Sequence, residues 1–161
     1  MDTDSDGLTD GEEYNYGYNS SNPRTADTND DGLNDFEEFE LNSDLNNPDT
    51  DGDGLDDKDE KDCGSSLLQP DPDDDTLFDT LECALGTDPW NPDTDDDGLQ
   101  DGYEVYVTNT SALLNDTDFD LLLDGEELTW KTDPLFNDTD LDGLWDGQEL
   151  VSCQFSFYTI I

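Results

Sequence analysis

Residues 93–104 read Asp93-Thr94-Asp95-Asp96-Asp97-Gly98-Leu99-Gln100-Asp101-Gly102-Tyr103-Glu104. Acids stand at positions 1, 3, 5, 9 and 12 of this stretch, with Gly at position 6 and Leu at position 7. Calcium takes about six to eight oxygen ligands, and one loop can provide them when acids alternate along a turning chain. Gly at position 6 permits the sharp turn, the carbonyl of position 7 adds an oxygen, and the final Glu can bind through both carboxylate oxygens. The stretch therefore predicts an EF-hand-like calcium loop.

The loop recurs seven times, with starts at Asp2, Asp27, Asp49, Asp71, Asp93, Asp116 and Asp138. Successive starts are 25, 22, 22, 22, 23 and 22 residues apart. Self-similarity at a period of roughly 20 to 50 residues is the signature of a repeat protein. We therefore predict one tandem-repeat array over 1–161, with repeats at about 2–26, 27–48, 49–70, 71–92, 93–115, 116–137 and 138–161.

The predicted calcium ligands are the side chains at positions 1, 3, 5, 9 and 12 and the carbonyl oxygen of position 7. In chain order they are Asp2, Asp4, Asp6, Leu8, Asp10, Glu13, Asp27, Asn29, Asp31, Leu33, Asp35, Glu38, Asp49, Asp51, Asp53, Leu55, Asp57, Glu60, Asp71, Asp73, Asp75, Leu77, Asp79, Glu82, Asp93, Asp95, Asp97, Leu99, Asp101, Glu104, Asp116, Asp118, Asp120, Leu122, Asp124, Glu127, Asp138, Asp140, Asp142, Leu144, Asp146 and Glu149. Asn29 is the one side-chain ligand that is not acidic, so 34 of the 47 acids are assigned. An acidic chain would match this template by chance at about one start, so seven matches in register favour calcium binding over a solvated acidic chain.

Two loops depart from the template at position 6, where Thr76 and Leu121 replace Gly. A side chain at this position disfavours a left-handed turn. We expect the fourth and sixth loops to be strained, weaker in calcium affinity, or differently turned.

The composition points to the same need for a cation. There are 47 Asp and Glu against 4 Lys and Arg, with no His, and only 30% of residues are hydrophobic. Such chains are normally disordered, because too little apolar surface is buried to offset chain entropy. About seven calcium ions would still leave the formal charge near -29, starting from -43, so further ions would help. This charge makes nucleic acid and anionic membranes poor partners, and no apolar run approaches the roughly 18 residues of a membrane span.

A short helix is expected after each loop. Gly17, Asn42, Gly64 and Gly86 stand at position 16, where a left-handed C-cap would limit the helix to about two turns. Proline-containing segments then lead, extended, into the next loop. We expect the Leu of position 7 and the apolar residues of positions 13 and 15 to form a thin core between stacked repeats, in preference to a ligand-binding stripe. The predicted fold is a small, metal-stabilised repeat fold: an elongated stack of calcium loops and two-turn helices with little or no sheet.

A family resemblance rests on two strings of the chain. The strings Asp49-Thr50-Asp51-Gly52-Asp53-Gly54-Leu55-Asp56-Asp57 and Gly86-Thr87-Asp88-Pro89 with Asn91-Pro92-Asp93-Thr94-Asp95 resemble the thrombospondin type 3 repeat of prokaryotic surface proteins. The resemblance covers essentially the whole chain. It implies calcium-dependent, largely irregular structure on a line of ions, used outside the cell as a stalk, spacer or adhesive element, often with extra ions and inter-repeat disulfides. The Asp-Asn-Cys ending of the animal repeat is absent. Dockerins share paired calcium loops, but with two repeats and a longer helix, so cohesin binding is not implied.

Cysteines and glycosylation motifs give further expectations. Cys63 and Cys83 stand near the helix ends of consecutive repeats, either as an inter-repeat disulfide in an oxidising compartment or as two small buried thiols. Cys153 is then free or bonded to another chain. The candidate glycan acceptors, for a secreted protein, are Asn19, Asn109, Asn115 and Asn137.

The function we expect is that of an extracellular or cell-surface calcium-rigidified rod or stalk. The alternatives are a filament subunit joined head to tail and a calcium-dependent adhesin; a calcium buffer is the least favoured. The filament hypothesis rests on the apolar residues 151–161 and on Phe119, Leu141 and Trp145 at loop positions that are mostly polar or small elsewhere. The chain opens directly on a loop with no signal peptide, so we expect a mature form or a fragment. Without His or a nucleophile motif, and with its acids assigned as ligands, an enzyme is not expected.

Overall fold

The computed structural model describes residues 1–15 and 20–150. Within these residues the regular structure consists of short helices and no strand: α1 (Asp10–Asn15), α2 (Asp35–Leu41), α3 (Asp57–Cys63), α4 (Asp79–Leu85), α5 (Asp101–Tyr103) and α6 (Asp124–Trp130). Residues 146–150 are also helical. Every helix begins at position 9 of a loop, so the prediction of short helices without a sheet is confirmed. No helix in the described ranges is both long and apolar enough to cross a lipid bilayer.

The chain divides into two compact units, Met1–Leu85 and Gly86–Ile161. The first unit contains α1 to α4, and the second contains α5 and α6. The division falls directly after α4, before the breaker segment that leads to the fifth loop. The limits of the seven repeats remain a prediction from the sequence.

The helices end at left-handed residues, as the sequence predicts. Asn42, Gly64 and Gly86 have φ of 65°, 90° and 89°. Lys131 occupies the same position after α6 with φ of 70°, while Gly17 lies outside the described residues. A left-handed residue turns its amide back onto the last helical carbonyls and stops the helix. Each helix is therefore held to about two turns.

The fifth repeat contains one extra residue, which is accommodated within its helix. The step from the fifth to the sixth loop is 23 residues, where most steps are 22. α5 continues as a π-helical segment, Glu104–Thr108, which ends at Asn109 with φ of 60°. Because a π-helix has a wider turn than an α-helix, the added residue leaves the flanking loop pattern intact.

Each loop is closed at its base by hydrogen bonds to the Asp of position 9. In the third loop the N–H of Asp57 donates to the carbonyl of Pro48 at 2.8 Å. Thr50, at position 2, donates its N–H to Asp57 Oδ1 at 2.7 Å and its hydroxyl to Oδ2 at 2.8 Å. The same pair recurs as Thr28–Asp35, Thr94–Asp101, Thr117–Asp124 and Thr139–Asp146.

The buried apolar residues are not those that we expected. Among the described residues they are Leu8, Leu33, Leu45, Leu67, Leu77, Ala112 and Leu122. Position 7 therefore contributes in part: Leu55 and Leu99 are half-buried and Leu144 is exposed. The described residues of positions 13 and 15 contribute less than expected: Phe39, Leu41, Cys83 and Val105 are half-buried, whereas Tyr14 and Trp130 are 72% and 58% exposed.

The reason is that acids take the inner face of each helix. The Asp of position 9 and the Glu of position 12 are three residues apart and share one helix face. Asp35, Glu38, Asp57 and Glu60 have 0% exposure, so this face points inward and position 15 points to solvent. The second buried position is instead 19, in the breaker segment, where Leu45 and Leu67 are 1% and 8% exposed.

A disulfide joins two consecutive helices. Cys63, the last residue of α3, is bonded to Cys83 of α4, with a Cα–Cα distance of 5.8 Å. The disulfide hypothesis is thereby confirmed and the free-thiol alternative is wrong. Cys153 lies outside the described residues.

Replacing Thr94 by Val should destabilise the calcium-loaded protein by about 1–3 kcal/mol, because Asp101 loses a hydroxyl donor at 2.6 Å. Urea unfolding in saturating calcium measures the change. Thr129→Val is the control, since Thr129 is exposed and its hydroxyl donates only to the Gly125 carbonyl at 3.4 Å. Equal midpoints for the two variants would contradict the role given to Thr94.

Candidate metal centres

Backbone amides hold one or both oxygens of the carboxylates at positions 1, 3 and 5. In the third loop Gly52 N and Gly54 N donate to the two oxygens of Asp49, at 2.7 and 3.1 Å. The N–H of Asp53 donates to Asp51 Oδ1 at 3.2 Å, and that of Leu55 donates to Asp53 Oδ1 at 2.8 Å. The other loops repeat much of this pattern. The amides thus fix the carboxylates of positions 1, 3 and 5 with oxygens facing one another across the loop.

This geometry requires positive φ at two positions, of which sequence reasoning found one. Position 6 has positive φ in all seven loops, including Thr76 at 81° and Leu121 at 83°. The fourth and sixth loops therefore turn like the others. The backbone of Thr76 and of Leu121 is strained, because a residue with a side chain disfavours positive φ. Position 4 is also left-handed throughout, at Ser5, Asp30, Gly52, Asp74, Asp96, Phe119 and Leu141. The frequent Asp at position 4 was the available signal, because Asp tolerates this conformation better than most residues.

The loops bring acidic ligand atoms close together. Carboxylate oxygens of three residues lie within 4.8 Å of one another in sets that include Asp2–Asp4–Asp6, Asp49–Asp51–Asp53, Asp71–Asp73–Asp75 and Asp93–Asp95–Asp97. These are positions 1, 3 and 5 of the first, third, fourth and fifth loops.

Several buried oxygens in these clusters have no hydrogen-bond donor. Both carboxylate oxygens of Glu60 and of Glu127 lack a partner, although both residues are 0% exposed. At position 3, one oxygen of each carboxylate lacks a partner in Asp4, Asp51, Asp73, Asp95 and Asp118. A buried carboxylate without a donor or a cation is strongly unfavourable. Hard, oxygen-rich, anionic clusters of this kind fit a divalent cation such as calcium.

The Glu carboxyl groups of position 12 hold their protons tightly when no cation is bound. Burial, followed by the neighbouring Asp51 and Asp57, raises the pKa of Glu60 to about 9. Burial and nearby carboxylates likewise raise the pKa of Glu38, Glu104 and Glu127 to about 8. At neutral pH these groups would keep a proton unless a cation replaced it.

The Asp of position 9 faces the preceding repeat as well as its own loop. Oxygens of Asp31, Glu38 and Asp57 lie within 4.8 Å of one another, although Asp57 belongs to the next repeat. In the second unit Gly147 N donates to Asp120 Oδ2 at 2.8 Å, again across consecutive repeats. A Cβ added at Gly147 would lie 2.5 Å from the backbone oxygen of Asp120, so only Gly permits this approach. The sequence placed position 9 in its own loop, because contacts between repeats cannot be read from spacing.

Asn29 sets the second loop apart. Its Nδ2 donates to Glu38 Oε1 at 2.8 Å and to Asp31 Oδ2 at 3.2 Å. The amide therefore supplies a donor where the other loops have a second carboxylate oxygen. The second loop offers one negative charge fewer to a cation than the rest.

Lowering the pH should stabilise the fold in the absence of calcium. Since the pKa of these Glu residues is about 8 to 9 in the fold against an ordinary 4.5, the fold binds protons more tightly than the unfolded chain. This stabilisation is complete below pH 4.5 and is lost as the pH rises through about 8 to 9. Circular dichroism in chelator should show more helix on acidification over this range. No gain in helix would contradict the burial of these groups.

A matched pair of variants tests one of these groups by itself. Glu127→Gln removes a buried charge, so in chelator at pH 8 it should strengthen the helical signal while weakening calcium binding. Glu126→Gln, at an exposed neighbouring position, should change neither. Equal behaviour of the two variants in both measurements would argue against a special role for Glu127.

Restoring Gly at position 6 should relieve strain in two loops. Thr76→Gly and Leu121→Gly should each stabilise the calcium-loaded protein by about 1 kcal/mol or more, because Gly adopts positive φ freely. Calcium titration and thermal unfolding would show tighter binding and a higher Tm. Thr76→Ala keeps a Cβ and serves as the control. If both glycine variants bind calcium more weakly, the template does not describe these loops.

Comparison with known families agrees with this geometry. Residues 2–23, 49–65 and 93–110 match the bacterial TSP3 repeat. No curated protein sequence and no solved structure matches the chain. The three stretches contain the first, third and fifth loops with the helices that follow them, and TSP3 repeats are calcium-binding repeats. These three stretches are therefore similar to bacterial TSP3 repeats.

Proposed function

We propose that this protein is an extracellular structural repeat protein in which calcium holds the fold together, so that the loaded chain serves as a rigid rod or stalk. The observation that carries the proposal is the set of buried carboxylate oxygens without donors, above all those of Glu60 and Glu127. A protein interior of this kind is stable only when cations or protons neutralise it. TSP3 repeats are typically extracellular, which supports the proposed location.

The proposed ligands are those of the sequence template, with about seven ions. In each loop the carboxylates of positions 1, 3 and 5, the carbonyl of position 7 and the Glu of position 12 would surround one ion. The Asp of position 9, the remaining ligand of the template, would also brace its own loop and lie near the ion of the loop before it.

The decisive experiment is removal of calcium. The described residues bury few apolar side chains, too few to resist the repulsion among five acidic positions in a loop. Excess chelator should abolish the helical circular dichroism and enlarge the hydrodynamic radius, and calcium should restore both. Magnesium is the control cation, because it is smaller and demands near-octahedral coordination. An unchanged spectrum and radius in chelator would refute the proposal.

A second candidate function is self-assembly into a filament. Phe119 and Leu141 occupy position 4 of their loops and are 65% and 77% exposed, and Trp145 is 42% exposed. An apolar surface of this kind often marks an interface, and calcium would screen the charge that otherwise separates the subunits. The apolar segment 151–161, which the filament hypothesis also uses, lies outside the described residues.

Substitution at position 4 tests assembly without disturbing the loop. Phe119→Asp and Leu141→Asp place there the residue that three other loops carry. The filament hypothesis requires the wild-type protein to assemble in calcium. It also requires that assembly be lost in a variant carrying both substitutions and in a variant lacking residues 154–161. Light scattering and electron microscopy provide the measurement. A wild-type protein that remains monomeric at high calcium and high concentration would leave the rod or an adhesin module.

Three exposed asparagines of the chain are candidate glycan acceptors. Asn109, Asn115 and Asn137 are exposed and Asn19 lies outside the described residues; we propose the three exposed sites as glycan acceptors, for which intact mass measurement is the test. TSP3 repeats form a structural family of calcium-binding repeats, and no catalytic role is proposed.

A further inference from the structure

The fourth loop differs from its neighbours at position 2. Pro72 stands where the six other loops have Thr. Proline has neither an N–H nor a hydroxyl to donate. The Asp of position 9, Asp79, therefore lacks the two donors that hold Asp57 in the third loop.

One carboxylate oxygen of the buried residue Asp79 has no hydrogen-bond donor. Its Oδ2 accepts from Ser66 N at 3.1 Å. The Ser65 hydroxyl is another hydrogen-bonding group near this carboxylate, and Oδ1 meets no donor in hydrogen-bonding geometry, although the residue is 0% exposed. A carboxylate oxygen buried in this way has the full desolvation cost and no compensating contact, unless a cation lies beside it.

The residue that follows Asp79 contacts the third loop. Thr80, the residue after Asp79, donates its N–H to Asp53 Oδ2 at 3.0 Å and its hydroxyl at 2.8 Å. Asp53 is position 5 of the third loop, and both oxygens of Glu60, its position 12, also lack a donor. The disulfide Cys63–Cys83 ties the two helices that carry Glu60 and Asp79.

The second and third repeats bring the corresponding three residues together. There the residues of positions 5 and 12, Asp31 and Glu38, lie with the next repeat's Asp57 so that their ligand oxygens are within 4.8 Å. Asp53, Glu60 and Asp79 are the corresponding residues one repeat later. Consistent with this proximity, the charge of Asp79 contributes, after burial, to the raised pKa of Glu60.

We propose that Asp79 is a ligand of the cation in the third loop, so that this site is completed by the fourth repeat and is released for that role by Pro72. The third loop then binds calcium more tightly than a loop whose neighbour's Asp is held by Thr. Its occupancy is also coupled to the folding of α4. This inference rests on the proposed calcium function and adds a ligand from another repeat to one site.

The test is to give Asp79 the partner that its counterparts have. Pro72→Thr supplies the N–H and hydroxyl that hold Asp57 and Asp101, so it should keep or improve folding. If Asp79 binds the cation of the third loop, the new hydrogen bonds compete for it, and calcium affinity at that loop should fall about three- to tenfold. Asp79→Asn, which removes the charge, should weaken it by about tenfold or more, since ligand charge tunes affinity in such loops.

A glycine amide reports on each loop. Gly54 N donates to Asp49 in the third loop, and Gly98 N donates to Asp93 in the fifth. The full chain has 13 Gly, and it can be labelled with ¹⁵N-glycine. A calcium titration then follows each glycine amide in the NMR spectrum. The Gly54 midpoint should move to higher calcium in both variants, and the Gly98 midpoint should stay in place.

The outcomes separate the two proposals. A Gly54 midpoint that is unchanged or lower in Pro72→Thr overturns the role of Asp79, and this variant remains decisive if Asp79→Asn fails to fold. Wild-type amides that do not respond to calcium at all would instead overturn the proposed function. A parallel shift of Gly54 and Gly98 would show a global loss of stability and would also contradict a ligand role confined to the third loop.

Discussion

The neutralisation of buried carboxylates is the constraint on which the rest of this structure depends. The inner face of each short helix carries an Asp and a Glu, where an ordinary helix would carry Leu or Val. Glu60 and Glu127 are fully buried, and none of their four carboxylate oxygens meets a donor. Protons can relieve the repulsion among these Glu residues below about pH 8 to 9, and divalent cations can relieve it by replacing those protons. The fold is therefore linked both to protonation and to metal binding through the same groups.

Backbone amides prepare the loops for this task. Each Asp of position 1 receives amide donors from among positions 4, 5 and 6, and positions 4 and 6 are left-handed in every loop. The structure stores strain at these positions when they carry Thr76, Leu121, Phe119 or Leu141. Such strain is tolerable if cation binding is favourable enough to exceed it, and it makes the loops unequal in affinity.

Small departures from the repeat are absorbed locally and change the sites one at a time. The extra residue of the fifth repeat is contained in a π-helical turn. Asn29 replaces an oxygen ligand with an amide donor in the second loop. Pro72 removes the Thr donors from Asp79, whose Oδ1 meets no donor. A repeat protein of this type can therefore grade its calcium affinities along the chain without altering its helices.

Much of this followed from the sequence by itself. The spacing of acids determined the loops, the residue at position 16 determined where the helices end, and the placement of Cys63 and Cys83 allowed the disulfide. The loops and the helix ends depend on residues within one repeat, where local geometry is decided by sequence. The disulfide joins residues 20 positions apart, and the tertiary structure decided between it and two free thiols. The tertiary structure decided which residues are buried, that Tyr14 and Trp130 face solvent, and that the Asp of position 9 approaches the preceding loop. The physical reason is that these contacts join residues more than 20 positions apart, and their geometry depends on how one repeat packs on the next.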